Sequence, residues 1–553
     1  MQQHAPIPPA QPRWWQTGVL YQVYVRSFQD SNGDGVGDLA GVIERLDYLA
    51  WLGVDALWLT PFYPSPMEDG GYDIITYTDV DPIFGDLATF DRLLMEVHRQ
   101  HLRVLIDFVP NHTSDQHPWF LESRISRQGH KRAWYVWADA KLDGSPPNNW
   151  LSHWGGSAWE WDATTSQYYL HSFHKKQPDL NWRNPEVRAA MFDVLRFWLE
   201  RGVDGFRIDA AHFIAKDPEL RNNPANLHPK RMSYKPLGDY DTQLHLYDQN
   251  YPDGHAVYRE LRQVIDTYSA QHPRLALGEV ALFDWRQWAS YYGMQLDELH
   301  LPFNFGLVGA PWQAQAVRRV IDAVEDVLPP GAWPGYVLGN HDEARITSRV
   351  GTTQARVAML LLLTLRGMPT LYYGDEIGMQ NGAIPPERVQ DPWEKRLPGH
   401  GFGRDPERTP MHWDSSPNAG FCPSAIEPWL PIAEGFERLN VAVQVEDPHS
   451  MLALTRKLLQ LRKKTPALTG GMYQACDDVS DSCFVYLRTY GRQRSVIALN
   501  YTSEEQSLDL SQMGSGCVLL STALDREGTI DLSHVRLRGN EGCVISLREE
   551  EHP

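Results

Sequence analysis

Long hydrophobic runs are missing from this chain. No stretch of about 18 apolar residues occurs, so no membrane-spanning helix is expected. The longest apolar run, VAMLLLLTL at residues 357–365, suits a buried helix instead. The opening residues, MQQHAPIPPAQPRWW, carry neither an apolar run nor a basic start. No secretory signal is therefore expected there, and the first dozen residues should be loosely held. Cysteine is scarce, with only Cys422, Cys476, Cys483, Cys517 and Cys543 among 553 residues. An odd count without metal-type spacing points to reduced thiols in a cytoplasmic protein, a Cys476–Cys483 pairing being the local alternative. Basic charge is in deficit, with 51 Lys and Arg against 70 Asp and Glu and a formal charge of −19. Such a surface disfavours nucleic acid and anionic membranes and favours neutral or cationic small molecules. There is no G-x-S-x-G elbow, no G-x-G-x-x-G turn after a strand, no fixed Cys–His pattern, no internal repeat and no low-complexity tract.

What is present is an alternation of strand and helix signals. Apolar β-rich runs fall at residues 19–28, 56–61, 103–109, 205–210, 275–280, 335–342 and 369–378, with a weaker one at 299–305. Helical patterns such as LAGVIERLDYLAWLG and EVRAAMFDVLRFWLERG lie between them. Alternation of this kind implies a parallel sheet, and eight units over this length imply an α/β (β/α)₈ TIM barrel. Between DFVPNH and a helix near residue 184 lie about 70 residues rich in Trp, Tyr, His, Gly and Pro, too long for a plain connection. From about residue 460 short alternating segments such as SCFVYLRTYG, RSVIALNYT and GCVISLRE indicate an antiparallel β-domain. The expected division is barrel at 1–111 and 182–459, an inserted domain at 112–181 after the third strand, and a C-terminal β-sandwich at 460–553.

The polar residues gather at the C-terminal ends of the expected strands, where a barrel of this type carries its active site. Asp107, Asn111 and His112 follow the third strand, Arg207 and Asp209 end the fourth, Glu279 ends the fifth, and His341 and Asp342 end the seventh. In GVDGFRIDAAHF the alternation of a strand turns Arg207 and Asp209 to the same side. Two carboxylates suffice to split a glycosidic bond, one attacking the anomeric carbon and the other moving the proton. A neighbouring guanidinium favours an ionised Asp209, whereas the apolar context ALGEVAL would raise the pKa of Glu279 and keep it protonated. Asp107 reads as a support for Arg207.

These motifs resemble the α-amylase-type glycoside hydrolases of family 13, in the α-glucosidase and oligo-1,6-glucosidase branch. DFVPNHTS, GFRIDAAHF, LGEV, LGNHDEAR and QPDLN match that family's sequence regions, and GYD, GMPTLYYGDEIGM and RTPMHWD match further ones. The resemblance covers nearly the whole chain. It implies the barrel, the insertion and the C-terminal β-domain. It also implies Asp209 as nucleophile, Glu279 as general acid/base and Asp342 as a third carboxylate holding sugar hydroxyls. Asp73, His112, Arg207, His341 and Arg408 would line the first sugar subsite, with Phe173 and Gln177 as wall from the insertion. Retention of configuration implies carboxyls of Asp209 and Glu279 about 5–5.5 Å apart.

The loop DSNGDGVGD (30–38) resembles a calcium loop, with Gly41 where an EF-hand has a bidentate Glu. Relatives imply a structural Ca²⁺ or Mg²⁺ held by Asp30, Asn32, Asp34, the carbonyl of Val36 and Asp38; the alternative is a plain Asp/Gly turn. No organic cofactor is expected, and the chain should act as a monomer or homodimer on short oligosaccharides such as maltose, malto-oligosaccharides and other α-glucosides. Ala210, small and next to the nucleophile, implies α-1,4 preference. Transglucosylation, oligo-1,6-glucosidase activity and a trehalose-synthase-like isomerisation stay open, and Glu343 beside the third acid bears on the acceptor side. A phosphate-dependent glucosyl transferase and a non-catalytic transporter subunit are the readings from other classes.

Overall fold

The computed structural model describes residues 12–227 and 237–548. The N-terminal segment expected to be loosely held therefore lies, but for residue 12, outside the described residues. The first strands are β1 (Leu20–Val23), β2 (Ala56–Leu59) and β3 (Arg103–Phe108). The insertion follows, with β4 (Trp137–Ala138), β5 (Trp159–Asp162) and β6 (Gln167–Leu170) paired antiparallel in the order β4-β6-β5. The chain then returns through β7 (Gly205–Ile208), β8 (Leu275–Glu279), β9 (Leu301–Asn304), β10 (Gly335–Val337) and β11 (Met368–Tyr372). Eight parallel strands close into a barrel in the order β1-β11-β10-β9-β8-β7-β3-β2, so the weak signal at 299–305 is a true barrel strand.

Each strand buries two unlike faces. Leu20, Trp58, Leu105, Leu277, Phe303 and Met368 fill the barrel interior, as layers of bulky side chains do in this fold. Phe206, Ile208, Val104 and Ile106 point outward and pack with the helices. The helix Pro185–Arg201 shows how those helices are made. Asn184 caps its N-terminus, Val187, Met191, Leu195 and Trp198 form its buried face, and Gly202 at φ 107° ends it. The apolar run at 357–365 lies in a helix, Thr352–Thr364, buried on nearly every side.

The strands are shorter than their sequence runs. Val25–Phe28 coils into a helical turn, β10 stops at Val337, and Asp375–Ile377 forms a 3₁₀ turn beyond β11. The polar ends of those runs are thus rim loops rather than strand. The C-terminal part contains β12 (Met472–Ala475), β13 (Cys483–Tyr490), β14 (Gln493–Asn500), β15 (Gln506–Leu508), β16 (Gly516–Ser521), β17 (Gly528–Ile530), β18 (Val535–Leu537) and β19 (Gly542–Leu547). Six of them form one antiparallel sheet, β12-β13-β14-β19-β16-β17, and β15-β18 a second. Val485, Val496, Leu508, Val535 and Ile545 make a separate core between the sheets. All five cysteines are free, Cys476 and Cys483 included. No helix among the described residues is long and apolar enough to cross a membrane.

Candidate active site

Strand register assembles the site. β3 and β7 pair so that Asp107 lies beside Arg207. β7 and β8 pair Arg207 with Leu277 and Ile208 with Gly278, which sets Glu279 level with Asp209 one step on. Gly205 permits this close approach, since a Cβ there would stand 2.3 Å from the Leu275 carbonyl oxygen.

One guanidinium then organises the acids. Arg207 Nη1 donates to Asp107 Oδ1 at 2.8 Å and to Asp209 Oδ1 at 2.6 Å, and Nη2 lies 2.9 Å from Glu279 Oε2. Its side chain is 1 % exposed and sits over Trp58. Glu279 is therefore an ion-pair partner at the rim, not a carboxyl in apolar surroundings as its sequence context suggests. A second donor fixes it. The N–H of Ala210 reaches Glu279 Oε2 at 2.9 Å, from a backbone at φ 43°, ψ 42°. This left-handed conformation is uncommon for a residue with a Cβ and marks local strain at the site.

The balance at Asp209 also departs from expectation. Burial pushes its carboxyl well above the usual carboxylate range, Arg207 opposes this, and Glu279 and Asp107 add to it. Burial likewise raises Asp107 to about 6, against Arg207 and the donors Trp58 and Tyr72. Acids outnumber cations in this cluster, so Arg207 opposes the upward push on Asp209 while two neighbouring acids reinforce it. Asp342 behaves oppositely. Burial would raise it, but the His341 ring and the guanidiniums of Arg404, Arg408 and Arg207 outweigh burial and hold it well below the usual range. Arg404 Nη1 and Arg408 Nη2 approach its Oδ1 at 3.1 and 2.8 Å.

A pocket with ≈ 100 Å³ of free space joins Asp209, Glu279 and Asp342. His112 and Phe173 line it, as do Asp69, Tyr72 and Arg404. A larger groove of ≈ 750 Å³ between insertion and barrel contains none of the three acids; the chemistry belongs to the smaller space. Of the residues expected to line it, Asp73, Gln177, Arg207, His341 and Arg408 stand behind the cavity surface, and two of them yield the place to a residue four positions earlier. Asp73 does not reach the pocket. It is fully buried, and its oxygens accept from Ser65 Oγ, Glu68 N and Asp69 N at 2.9, 2.9 and 3.0 Å. Asp69 takes the position facing the cavity, held by Gln177 Nε2 at 2.9 Å and Arg404 Nη2 at 2.8 Å. Gly70 and Gly71, at φ 58° and 103°, make the turn that folds Asp73 back. Arg408 likewise stands behind Asp342, with Nε on the His341 carbonyl at 2.7 Å, while Arg404 lines the cavity. A sequence signal for both existed, an acid or arginine four residues earlier in EDGGYD and GRDPER, but not which of each pair faces inward.

Gln177 and His341 support the wall from behind. Gln177 Nε2 lies 3.1 Å from His112 Nε2. His341 stacks on Tyr72 at 5.3 Å, its Nδ1 is 2.7 Å from Gln22 Nε2, and its Nε2 is 3.3 Å from Asp342 Oδ2. Burial lowers the pKa of both histidine rings. Glu343 is buried beside the rim, bridged to Asn340, and does not line the pocket.

The loop 30–38 lies apart from the pocket. Asp30, Asn32 and Asp34 accept from the N–H two residues on, at 3.0, 2.9 and 2.9 Å. Asp38 caps the helix Leu39–Glu44 through Gly41 N and receives Ser31. The donors are all oxygen, the chemistry Ca²⁺ and Mg²⁺ take. Among the described residues, however, no three acid, His or Cys side chains gather closely enough to hold a metal.

Comparison with known proteins identifies the family. The alpha amylase catalytic domain family matches residues 22–471. A probable alpha-glucosidase of Rhizobium meliloti is 44 % identical over 508 residues, 90 % of this chain and 91 % of that protein. An oligo-1,6-glucosidase of Parageobacillus thermoglucosidasius is 36 % identical over 573 residues, covering 97 % and 99 % of the two chains. The crystal structure of an alpha-glucosyl transfer enzyme superposes with a TM-score of 0.92 at 40 % identity, over 97 % of this chain and 100 % of that one. With a closed barrel carrying three acids on one rim, this chain belongs to the α-amylase-type glycoside hydrolases of family 13, in their α-glucosidase branch.

Proposed function

We propose that the protein is a retaining, exo-acting α-glucosidase that removes terminal α-1,4-linked glucose from short oligosaccharides through a covalent β-glucosyl ester on Asp209. The observation that carries this reading is the single guanidinium of Arg207 spanning Asp209 and Glu279. The first step needs one proton donor and one carboxylate nucleophile. Glu279 gives it to the glycosidic oxygen while Asp209 attacks C1 and the C1–O bond breaks. Water then attacks C1, Glu279 takes its proton, and the ester opens. Asp342, held ionised between Arg404 and Arg408, accepts from the hydroxyls of the bound glucose, His112 walls that ring, and His341 positions Asp342 from behind.

The glucose first released from maltose is expected to be the α-anomer by NMR; release of the β-anomer would remove Asp209 as nucleophile. Faster turnover of isomaltose than of maltose would remove the α-1,4 assignment, which rests on Ala210, and favour an oligo-1,6-glucosidase. Concentrated maltose separates the second reading. Glucose alone identifies a hydrolase, growing oligosaccharides a transglucosylase, a reading supported by the likeness to an alpha-glucosyl transfer enzyme. Trehalose as main product would identify an isomerase.

We also propose that the loop 30–38 holds a structural Ca²⁺ or Mg²⁺ through Asp30, Asn32, Asp34, Asp38 and the Val36 carbonyl. The all-oxygen donor set supports this; the acids do not gather by themselves, so the ion would have to draw Asp30, Asp34 and Asp38 together, and it would not enter the reaction. Unfolding several degrees lower in EDTA than with added Ca²⁺ or Mg²⁺ is the expected result; equal midpoints would leave a self-closed turn. A cytoplasmic setting, supported by five free thiols, and a monomer or homodimer complete the proposal.

A further inference from the structure

The groove between insertion and barrel inverts the charge of the molecule. The whole chain carries −19, yet the lining of this ≈ 750 Å³ space has Arg127, Arg132, Arg183, Arg188 and Lys216 against Asp217 and Asp253. Both acids are already engaged. Asp217 receives Arg221 Nε at 2.7 Å, from a side chain outside the lining, and Asp253 receives Arg183 Nη2 at 2.6 Å. The acids that hold the other cations also stand outside the lining: Asp139 for Arg127, Glu260 for Arg188 and Asp179 for Lys216.

Two of these arginines are within reach of a ligand. The side chains of Arg127 and Arg188 are 48 % and 27 % exposed, and their acids 71 % and 43 %. Exposed pairs of this kind contribute little and yield to a stronger partner. Arg188 gives Nε to the Trp182 carbonyl and Nη1 to Glu260, which leaves Nη2 open to solvent and without an acceptor among the described residues. Arg132 adds charge rather than contact. It is nine-tenths buried, its Cζ lies 3.5 Å from the centre of the Trp137 ring, and its N–H groups go to neutral acceptors only, the Ser123 carbonyl, Thr165 Oγ1 and Gln167 Oε1. A buried charge is ordinarily paired, so a guanidinium with no carboxylate at ion-pair distance leaves positive charge for something else to balance.

Arginine forks match the oxygens of a phosphate and bind them by charge-assisted hydrogen bonds. The groove is much larger than a phosphate ion, and the amides of Gln128, Gln167 and Asn181 share its lining. Amides both donate and accept, which suits hydroxyl groups. We propose that this groove is a second, non-catalytic binding site that takes a sugar phosphate. The phosphate is drawn by the unbalanced charge around Arg132 and held by Arg127 and Arg188, and the amides take the sugar hydroxyls. Arg127 belongs to the insertion and Arg188 to the helix Pro185–Arg201 of the barrel, so the ligand ties the two parts together. The site does not depend on the reaction proposed above.

Isothermal titration of the full-length protein with glucose 6-phosphate, inorganic phosphate and glucose tests this. Glucose 6-phosphate is expected to bind once per chain, about tenfold more tightly than inorganic phosphate, and more weakly as NaCl is raised. Inorganic phosphate binding equally well overturns the sugar-phosphate assignment, and no binding by either overturns the site. Arg127→Gln and Arg188→Gln, at partly exposed positions, are each expected to weaken binding about tenfold through the loss of charge-assisted bonds. Unchanged affinity in both variants overturns the proposal. Glucose enters the catalytic pocket under the glycosidase reading, so excess glucose is expected to leave the affinity for glucose 6-phosphate unchanged. Abolition of binding by glucose would put the phosphate in the catalytic pocket and overturn the second site, while a failure to hydrolyse maltose would strike the glycosidase reading alone.

Discussion

Arg207 in the barrel and Arg488 beneath the C-terminal domain are equally buried, yet they answer to different partners. Arg207 faces three carboxylates, two of which open onto a cavity. Arg488 gives its hydrogen bonds to main-chain carbonyls, those of Thr364 and Gly471. Arg462 does the same with Leu363, Leu365 and Gly367 at 2.9, 3.1 and 2.6 Å. These carbonyls belong mostly to the end of the helix Thr352–Thr364, where the last groups have no intrahelical partner and a cation is favourable. Burial lowers Arg488 to about 9 and Arg462 to about 10, whereas the carboxylates around Arg207 overcome burial and raise it. A buried arginine that closes a helix end is architecture; one that ties acids to a cavity is chemistry. The cost of the second arrangement is excess negative charge, which only function explains.

The sharpest way to break this contrast is Asp209→Ala. Loss of the nucleophile is expected to reduce kcat on p-nitrophenyl α-glucoside by on the order of 10⁴-fold or more. The same change removes one acid from a cluster short of cations, so the thermal midpoint should rise. A lower midpoint by calorimetry would mean that the cluster stabilises the fold and that the contrast is false.

Arg207→Met comes next, with an expected fall in kcat on the order of 10²–10³-fold. Without the guanidinium, ionisation of Asp209 costs more, so the acid limb of the kcat/KM profile should move to higher pH. An unmoved limb would dissociate Arg207 from the nucleophile. Arg488→Met is the counterpart: kcat should stay within about twofold of wild type. Its carbonyl partners lose their donor, at about 1–3 kcal/mol for each one orphaned, and the midpoint should fall.

How much of this was legible in the sequence follows the same divide. The apolar β-rich runs located all eight barrel strands, because their residues are buried on both sides whatever else happens. GFRIDA also placed Arg207 and Asp209 on one side, since alternation in a strand is local. What local pattern could not settle was direction within a loop. Asp69 and Asp73 lie four residues apart, and only the turn at Gly70–Gly71 decides which carboxylate meets solvent-filled space and which binds the loop. Arg404 and Arg408 differ for the same reason, flanking a 3₁₀ turn at Asp405–Arg408. The aromatic side of the catalytic pocket was still less visible, because Trp154, Tyr240 and Trp393 come from segments that meet only when the insertion folds over the barrel. The environment of Glu279 was misread because its flanking apolar residues point away while Arg207 arrives from a neighbouring strand.

The gentlest test compares two buried acids, Asp391 in direct contact with an arginine and Asp375 with its arginines farther off and Glu376 adding to the effect of burial. Asp391 receives Arg404 Nε at 2.8 Å and Nη2 at 3.1 Å, and although burial opposes it, this grip holds the carboxyl down at about 2. Asp375 has Arg345 only at 3.8 Å, and burial raises it to about 7. The signs differ accordingly. Asp391 binds its proton more weakly folded than unfolded, so its stabilisation is present above the unfolded value near 4 and is lost as pH falls towards about 2. Asp375 binds its proton more tightly folded, so its neutral form favours the fold at low pH and that advantage is lost as pH rises from about 4 through about 7. Asp375→Asn keeps a neutral group of the same shape at every pH. It should flatten the fall in thermal midpoint between about pH 4 and 7 and raise the midpoint by a few degrees above pH 7, leaving the acid limb to Asp391 and Asp342. An Asn variant whose midpoint tracks wild type across that window would show that Arg345, even at this distance, suffices to keep Asp375 ionised, and the rule that direct contact separates the two kinds of buried pair would fail.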